Sequence, residues 1–297
     1  NKEVTKMKEN QDKVFNKTSI NWYPGHMAKT RRLIAEKYPL IDIVYEIVDA
    51  RIPFSSKSKD IYSLIGNKPK ILIMTKKDLC DVKATSEWVK YYENLGSKVL
   101  LVDLEHGNDV DEIVRVTHEL MADLQEKRNT KGLKNKEIRA LVIGIPNVGK
   151  STLINKMCKR KVARVGNLPG VTQSLSWLRT RSDILLLDTP GILWPKLDQG
   201  AVALNLAAFT AIKEEILPVD EVAVYILKQL SEYYPEKLFE NYGVRKVTDE
   251  NMLEVYETIA HQIGAVKRDE VDYEKVSLKV VNDIKSEKIT GITFDRK

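Results

Sequence analysis

Cysteine is nearly absent: 297 residues carry two, Cys80 and Cys158, far apart and in ordinary contexts. Neither a disulfide framework nor a zinc site can be built from them, and a reducing cytoplasm is the expected compartment. Long apolar runs are missing too. None approaches the roughly 20 residues that cross a bilayer as a helix. The opening stretch, NKEVTKMKENQDKVFNK, has no apolar core of the kind a secretory signal needs. Residues 1–18 are polar and aperiodic, so a disordered leader is expected there. There is no internal repeat, which sets aside repeat architectures.

What the chain does have is the composition of a globular protein, 43% hydrophobic and 30% charged, and enough length for two domains. Its net charge of +6 is uneven: residues 1–200 carry +11 and residues 201–297 carry −5. Basic residues concentrate at 1–37 and 127–164. Such asymmetry fits a polyanionic partner for the first two-thirds of the chain, and it equally fits a lysine-rich soluble surface.

Apolar, β-branched stretches alternate with helical spacing. IDIVYEIVDA (41–50), KILIMT (70–75), KVLLVDL (98–104) and IRALVIG (138–144) read as buried strands, and QSLSWLRT with DILLLD as a strand pair. Helices are expected at 28–38, 86–95 and 111–127, and residues 128–137 read as a basic linker. Strands alternating with helices predict an α/β fold with a mostly parallel, doubly wound sheet. After about residue 200 only helical spacing continues, with breaks at Pro218, Pro235, Gly243 and Gly264. The expected division is therefore an α/β domain over 19–200 and a C-terminal all-α domain over 201–297.

GIPNVGKS (144–151) matches the phosphate-loop pattern GxxxxGK[ST] and lies between a strand and a helix, as that pattern requires. Its glycines let backbone N–H groups converge on phosphates, and the following helix adds its positive end. The binding candidates here are Pro146, Asn147, Val148, Gly149, Lys150, Ser151 and Thr152, with Lys150 reaching the outer phosphates and Ser151 ligating Mg²⁺. DTPG (188–191) follows a strand, so Asp188 can hold Mg²⁺ through water and the Gly191 N–H can meet a γ-phosphate. Thr172, in PGVT (169–172), is the candidate that closes over the metal.

TKKD (75–78) ends the strand KILIM. A carboxylate at Asp78 can accept two hydrogen bonds from guanine, and adenine offers no matching donor pair. The Lys76 stem can pack on the base, with Thr75 and Lys77 beside it. Alone, the string is a weak signal, and an ordinary turn would produce it. Thr75 also stands where Asn is usual, which predicts weaker binding. TKKD precedes the phosphate loop, the reverse of the usual order in GTPases. Doubly wound sheets bind ligands beyond the carboxyl ends of their strands, so the pocket depends on strand ends and not on chain order. Residues 128–137 can be the joint that replaced old termini.

The series TKKD, GIPNVGKS, PGVT, DTPG, with WYPGHMAKTRR (22–32), DARIP (49–53), DTPGILWPK and the helical tail, resembles the circularly permuted GTPases. Within them it is similar to the ribosome biogenesis GTPase A family, over about 20–297. The resemblance implies a cytoplasmic, monomeric GTPase that binds GTP and GDP with Mg²⁺ and K⁺. Asn147 matches the position that helps hold K⁺. The implied partners are the precursor of the large ribosomal subunit, its RNA and its proteins. Ile192 occupies the position where many GTPases carry a water-orienting glutamine. His26 is then a catalytic candidate beside Lys150 and Thr172, and it can instead bind RNA or cap the following helix. The residues that back the base in VDLEHGND (102–109) are left unassigned. Lys279, Lys285 and Lys288 form a candidate RNA stripe, or a solvated face. A vestigial-pocket RNA scaffold and a P-loop ATPase are the alternatives. The intact Lys150, Ser151, Thr172 and Asp188 argue against the first, and Asp78 against the second.

Overall fold

Every residue of Ile43–Asp49 is buried, as expected of a central strand covered on both faces. The computed structural model describes residues 20–21, 25–57, 65–130, 137–161, 177–189, 196–197, 200–210, 217–267 and 270–297. Its main sheet is built from β1 (Ile43–Asp49), β2 (Lys70–Thr75), β3 (Lys98–Leu101), β4 (Ile138–Ile143), β5 (Trp177–Arg179) and β6 (Ile184–Asp188). The spatial order is β3-β2-β1-β4-β6-β5. All pairings are parallel except β5 against β6.

Four helices cover this sheet: α1 (Gly25–Lys37), α2 (Val82–Asn94), α3 (Asp109–Asn129) and α4 (Lys150–Cys158). The period of two along β1 sorts its residues between layers. Ile43, Tyr45 and Ile47 pack with Ile113 and Val116 of α3 and Leu153 of α4. Val44 faces the cluster with Ile34 of α1, and Val48 the cluster with Trp88 and Tyr92 of α2. The Tyr45 hydroxyl lies 2.7 Å from Thr117 Oγ1, which anchors α3 and satisfies both buried hydroxyls. Asp81 caps α2 by accepting the Ala84 N–H, so that helix starts earlier than its apolar spacing alone predicts.

The C-terminal region holds α5 (Ala201–Phe209), α6 (Val219–Tyr233), α7 (Pro235–Tyr242), α8 (Met252–Ile263) and α9 (Tyr273–Lys285). Val222, Ile226 and Leu230 of α6 share a core with Val276, Val280 and Ile284 of α9. The helical character expected after residue 200 is present, with two local details. Val266–Lys267 and Glu270–Val271 pair as a short antiparallel ribbon. The break expected at Pro235 falls between α6 and α7, and the proline itself opens α7, because proline is tolerated at the first turn where no N–H is needed. No helix among the described residues is long and apolar enough to cross a membrane.

The last residues leave the helices and lie on the sheet domain. Buried Asp295 accepts from the Phe54 N–H (2.7 Å), the Ser55 N–H (2.7 Å), Ser55 Oγ (2.6 Å) and Asn205 Nδ2 (2.9 Å). Burial still outweighs those bonds and pushes its carboxyl above the usual range. The Asp295→Ala variant would leave the buried Ser55 N–H and the part-buried Phe54 N–H without their acceptor and take one of two acceptors from the Asn205 amide. Urea denaturation is expected to show a loss of about 2–3 kcal/mol.

Candidate nucleotide site at the strand ends

Register places the carboxyl ends of four strands along one edge. Asp49 of β1 pairs with Thr75 of β2, Glu46 of β1 with Ile143 of β4, and Val142 of β4 with Asp188 of β6. Residues 75–78, 144–151 and 188–189 therefore leave the sheet side by side, although about 70 residues or more of chain separate the first from the others.

The phosphate loop has a backbone that few sequences tolerate. A Cβ on Gly144 would lie 2.5 Å from the Ile47 carbonyl, so the loop can leave β4 only as glycine. Asn147 (φ 65°) and Gly149 (φ 93°) both adopt left-handed conformations, which turn successive N–H groups inward. α4 begins at Lys150, and its first-turn N–H groups are free of intrahelical bonds by geometry. Pro146 and Val148 are buried, so they can meet a ligand only through their backbone; Asn147, Ser151 and Thr152 are half-buried.

Lys150 is buried, and its ammonium donates to the Ile145 carbonyl at 2.9 Å. Burial lowers its pKa to about 8 against the opposing charge of Asp188. A buried ammonium facing a carboxylate, beneath a nest of N–H groups, fits a polyphosphate with its counter-ion. Asp188 is buried at the end of β6, and the next hydroxyl, Thr189 Oγ1, donates back to the Val142 carbonyl at 2.8 Å.

Thr75 departs from what its residue type predicts. Its hydroxyl donates to the Val148 carbonyl of the phosphate loop at 2.5 Å, with the Val48 carbonyl 3.2 Å away. A Cβ on Gly149 would sit 3.2 Å from that same oxygen. The threonine thus ties the TKKD segment directly to the phosphate loop. Lys76 is held at φ 62°, the exposed Lys77 donates its N–H to the Val102 carbonyl at 3.2 Å, and burial raises the pKa of Asp78.

The loop at 102–109, unassigned from sequence, lies against this motif. Asp103 folds it by accepting the Glu105 N–H (2.8 Å) and the His106 N–H (2.9 Å). His106 Nδ1 then sits 3.3 Å from Asp103 Oδ2 and 3.9 Å from Asp78 Oδ2. From α4, Lys156 Nζ reaches the Glu105 carbonyl at 3.3 Å, so the loop is braced from the phosphate side.

Sequence reasoning also passed over the ion pair at the end of β1. Arg51 donates from Nε to Asp49 Oδ1 (3.0 Å) and from Nη2 to Asp49 Oδ2 (2.8 Å), both residues being buried. Burial alone would raise the Asp49 pKa, but Arg51 and Lys76 overcome it and hold the carboxyl near about 2. The signal was present as Asp and Arg two apart after an apolar strand, a pattern too short to read without its surroundings.

Thr172 and Gly191 lie outside the described residues, as does Ile192. His26 is the second residue of α1, and its side chain is likewise outside them. Just before α1, Ile20–Asn21 pairs antiparallel with Lys196–Leu197, part of the segment that follows DTPG.

The family described as "50S ribosome-binding GTPase" matches residues 139–258, starting on β4 and leaving 75–78 outside the match. The ribosome biogenesis GTPase A of Priestia megaterium is 43% identical over 279 residues, 93% of this chain and 96% of that protein. The chain belongs to the ribosome biogenesis GTPase A family. The Bacillus licheniformis protein of the same name is 41% identical over 93% of this chain and 98% of its own length. In structure, the chain is similar to GNP-bound YlqF from T. maritima, with a TM-score of 0.61, 24% identity and coverage of 90% of this chain and 98% of that one. The expected circularly permuted P-loop fold is thereby supported, and membership makes the chain a GTP hydrolase that binds guanine nucleotide.

Two outcomes follow from this geometry. Replacing Thr75 by Val leaves the Val148 carbonyl unbonded, and a loss of about 1–2 kcal/mol is expected in denaturant titration, with Thr75→Ser close to wild type. Polyphosphate beside Lys150 would restore its proton. Nucleotide binding should therefore take up a proton above pH 8, and almost none below about pH 7. Calorimetry in buffers of unlike ionisation enthalpy measures that uptake.

Proposed function

We propose that the chain is a nucleotide-switched assembly factor for the large (50S) ribosomal subunit. Its GTP state binds a late precursor, and hydrolysis stimulated by that particle releases it. The observation that carries the reading is the convergence of residues 75–78, 144–151 and 188 at one sheet edge, in a chain that matches ribosome biogenesis GTPases over nearly their whole length.

In this reading Asp78 selects guanine and the Lys76 stem packs on the base. The backbone of 146–152 and Lys150 hold the phosphates, and the Gly191 N–H meets the γ-phosphate. Ser151, Thr172 and Asp188 are the residues that would hold Mg²⁺, whose charge offsets that of the phosphates, and Asn147 would help hold K⁺. His26 orients the attacking water, a role that Ile192 cannot fill. The pairing of Ile20–Asn21 with Lys196–Leu197 supports this, because it brings the backbone before α1 to the segment after DTPG.

Basic residues of 29–37 and 156–164 contact ribosomal RNA. The stripe on α9 is a weaker candidate, because Lys279 pairs with Asp283 and Lys288 lies 3.6 Å from the same carboxylate. A cytoplasmic, monomeric protein is part of the reading.

The test is co-sedimentation with large subunits, with phosphate release measured alongside. The protein should pellet with subunits in the presence of a non-hydrolysable GTP analogue and stay in the supernatant with GDP. The His26→Ala variant should still pellet and lose about 100-fold of the stimulated turnover. Equal binding in both nucleotide states would overturn the switch.

A further inference from the structure

The guanine-motif loop is held from the far end of the chain. Its Leu79 carbonyl accepts the Gly291 N–H at 2.8 Å and lies 3.3 Å from the Ile292 N. The Asp81 N–H donates to Thr293 Oγ1 at 3.1 Å, and the Tyr234 hydroxyl donates to Asp81 Oδ2 at 3.0 Å. The C-terminal segment therefore runs along the loop that carries Lys76 and Asp78.

At one point it reaches the motif itself. Glu287 Oε1 lies 3.3 Å from Lys76 Nζ, and Asp49 Oδ2 lies 3.5 Å from the same nitrogen. The ammonium sits between one carboxylate from the sheet and one from the end of α9. The two are not equivalent. Asp49 is already engaged by both arms of the Arg51 guanidinium, so most of its charge is answered. Glu287 accepts from Lys76 at the outer side of the site.

Both residues are held in place by their backbones. Lys76 (φ 62°) and Glu287 (φ 61°) each occupy the left-handed region that a side chain disfavours. The Leu79 N–H closes on the Lys76 carbonyl at 3.0 Å. After α9, the Lys288 and Ile289 N–H groups both close on the Asp283 carbonyl, at 3.0 and 3.2 Å. These turns aim the two side chains at each other.

We infer that Glu287 is a positioning residue for guanine binding, holding the Lys76 ammonium so that the lysine stem lies where the base packs. This rests on the assignment of residues 75–78 to the base made under the proposed function. Glu287 acts through Lys76 and touches no reacting atom. It makes the last segment of the helical region part of the base site. By reciprocity, nucleotide binding and the seating of residues 287–293 strengthen each other.

The base is common to GTP and GDP, so the effect is the same for both. In the full chain, Glu287→Gln should weaken fluorescent GDP and a non-hydrolysable GTP analogue alike, by about three- to fivefold, the range of a partly exposed ion pair. The Michaelis constant for GTP should rise by the same factor with kcat unchanged, a split that general loosening of the fold would not produce. In a Lys76→Met background, Glu287→Gln should add nothing. Unchanged affinities, a fall in kcat alone, or an equal loss in the Lys76→Met background would each overturn the inference.

Asp78→Asn separates it from the reading beneath it. That variant should exchange guanine for xanthine nucleotide. Guanine preference retained in Asp78→Asn removes the base assignment and this inference together. A switch to xanthine with Glu287→Gln silent removes the inference alone.

Discussion

The buried pair of Asp49 and Arg51 is the contact through which the parts of this molecule meet. Charges taken out of water need close partners, and here Nε and Nη2 of the guanidinium meet the carboxylate with two parallel bonds while the Arg51 N–H adds a third at 3.0 Å, Nη1 alone being left without a hydrogen bond. Each flank of the pair then serves a different element. Asp49 ends the central strand and faces Lys76 of the TKKD segment. The Arg51 guanidinium lies 4.8 Å from the ring centroid of Phe209 on α5, and its carbonyl accepts the Phe294 N–H at 2.8 Å. Sheet, TKKD loop, helical region and C-terminal segment converge on two side chains.

Around that junction the site is a property of strand register. Parallel pairing brings the ends of β2, β1, β4 and β6 to one edge whatever order the chain visits them in. Chain order is thus free to change, and the contacts that cross the site must be made by residues far apart in sequence. Thr75 reaching Val148 is the clearest of them, a single hydroxyl that couples the TKKD segment to the phosphate loop. Asparagine at that position would offer an amide; threonine retains one donor and spends it on the phosphate loop.

Much of this is legible in the sequence itself. Strands with two buried faces read as unbroken apolar runs, and the phosphate loop carries its own punctuation of glycines. What escaped was whatever depends on a distant partner. The Ser55 and Asp295 contact spans 240 residues, and the alternation in the GITFDRK segment, Ile292-Thr293-Phe294-Asp295, is too short to mark it. α7 was hidden because a proline reads as a stop unless the following residues are known to turn. The lysine stripe on α9 was counted by charge, although Asp283, four residues from Lys279 and on the same face, could have been read as its counter-ion. Loop 102–109 was opaque because its turn is made by a side chain, Asp103, in place of glycine.

The bonds from Gly291 and Ile292 to Leu79 also impose an order on synthesis. TKKD is made before the phosphate loop, and the segment that bonds to it follows about 200 residues later. While translation continues, the Leu79 carbonyl and the Asp81 N–H have only water to bond. The nascent chain can close its sheet before residues 291–293 reach the loop that follows TKKD, so that loop is fixed later than the strands that carry it.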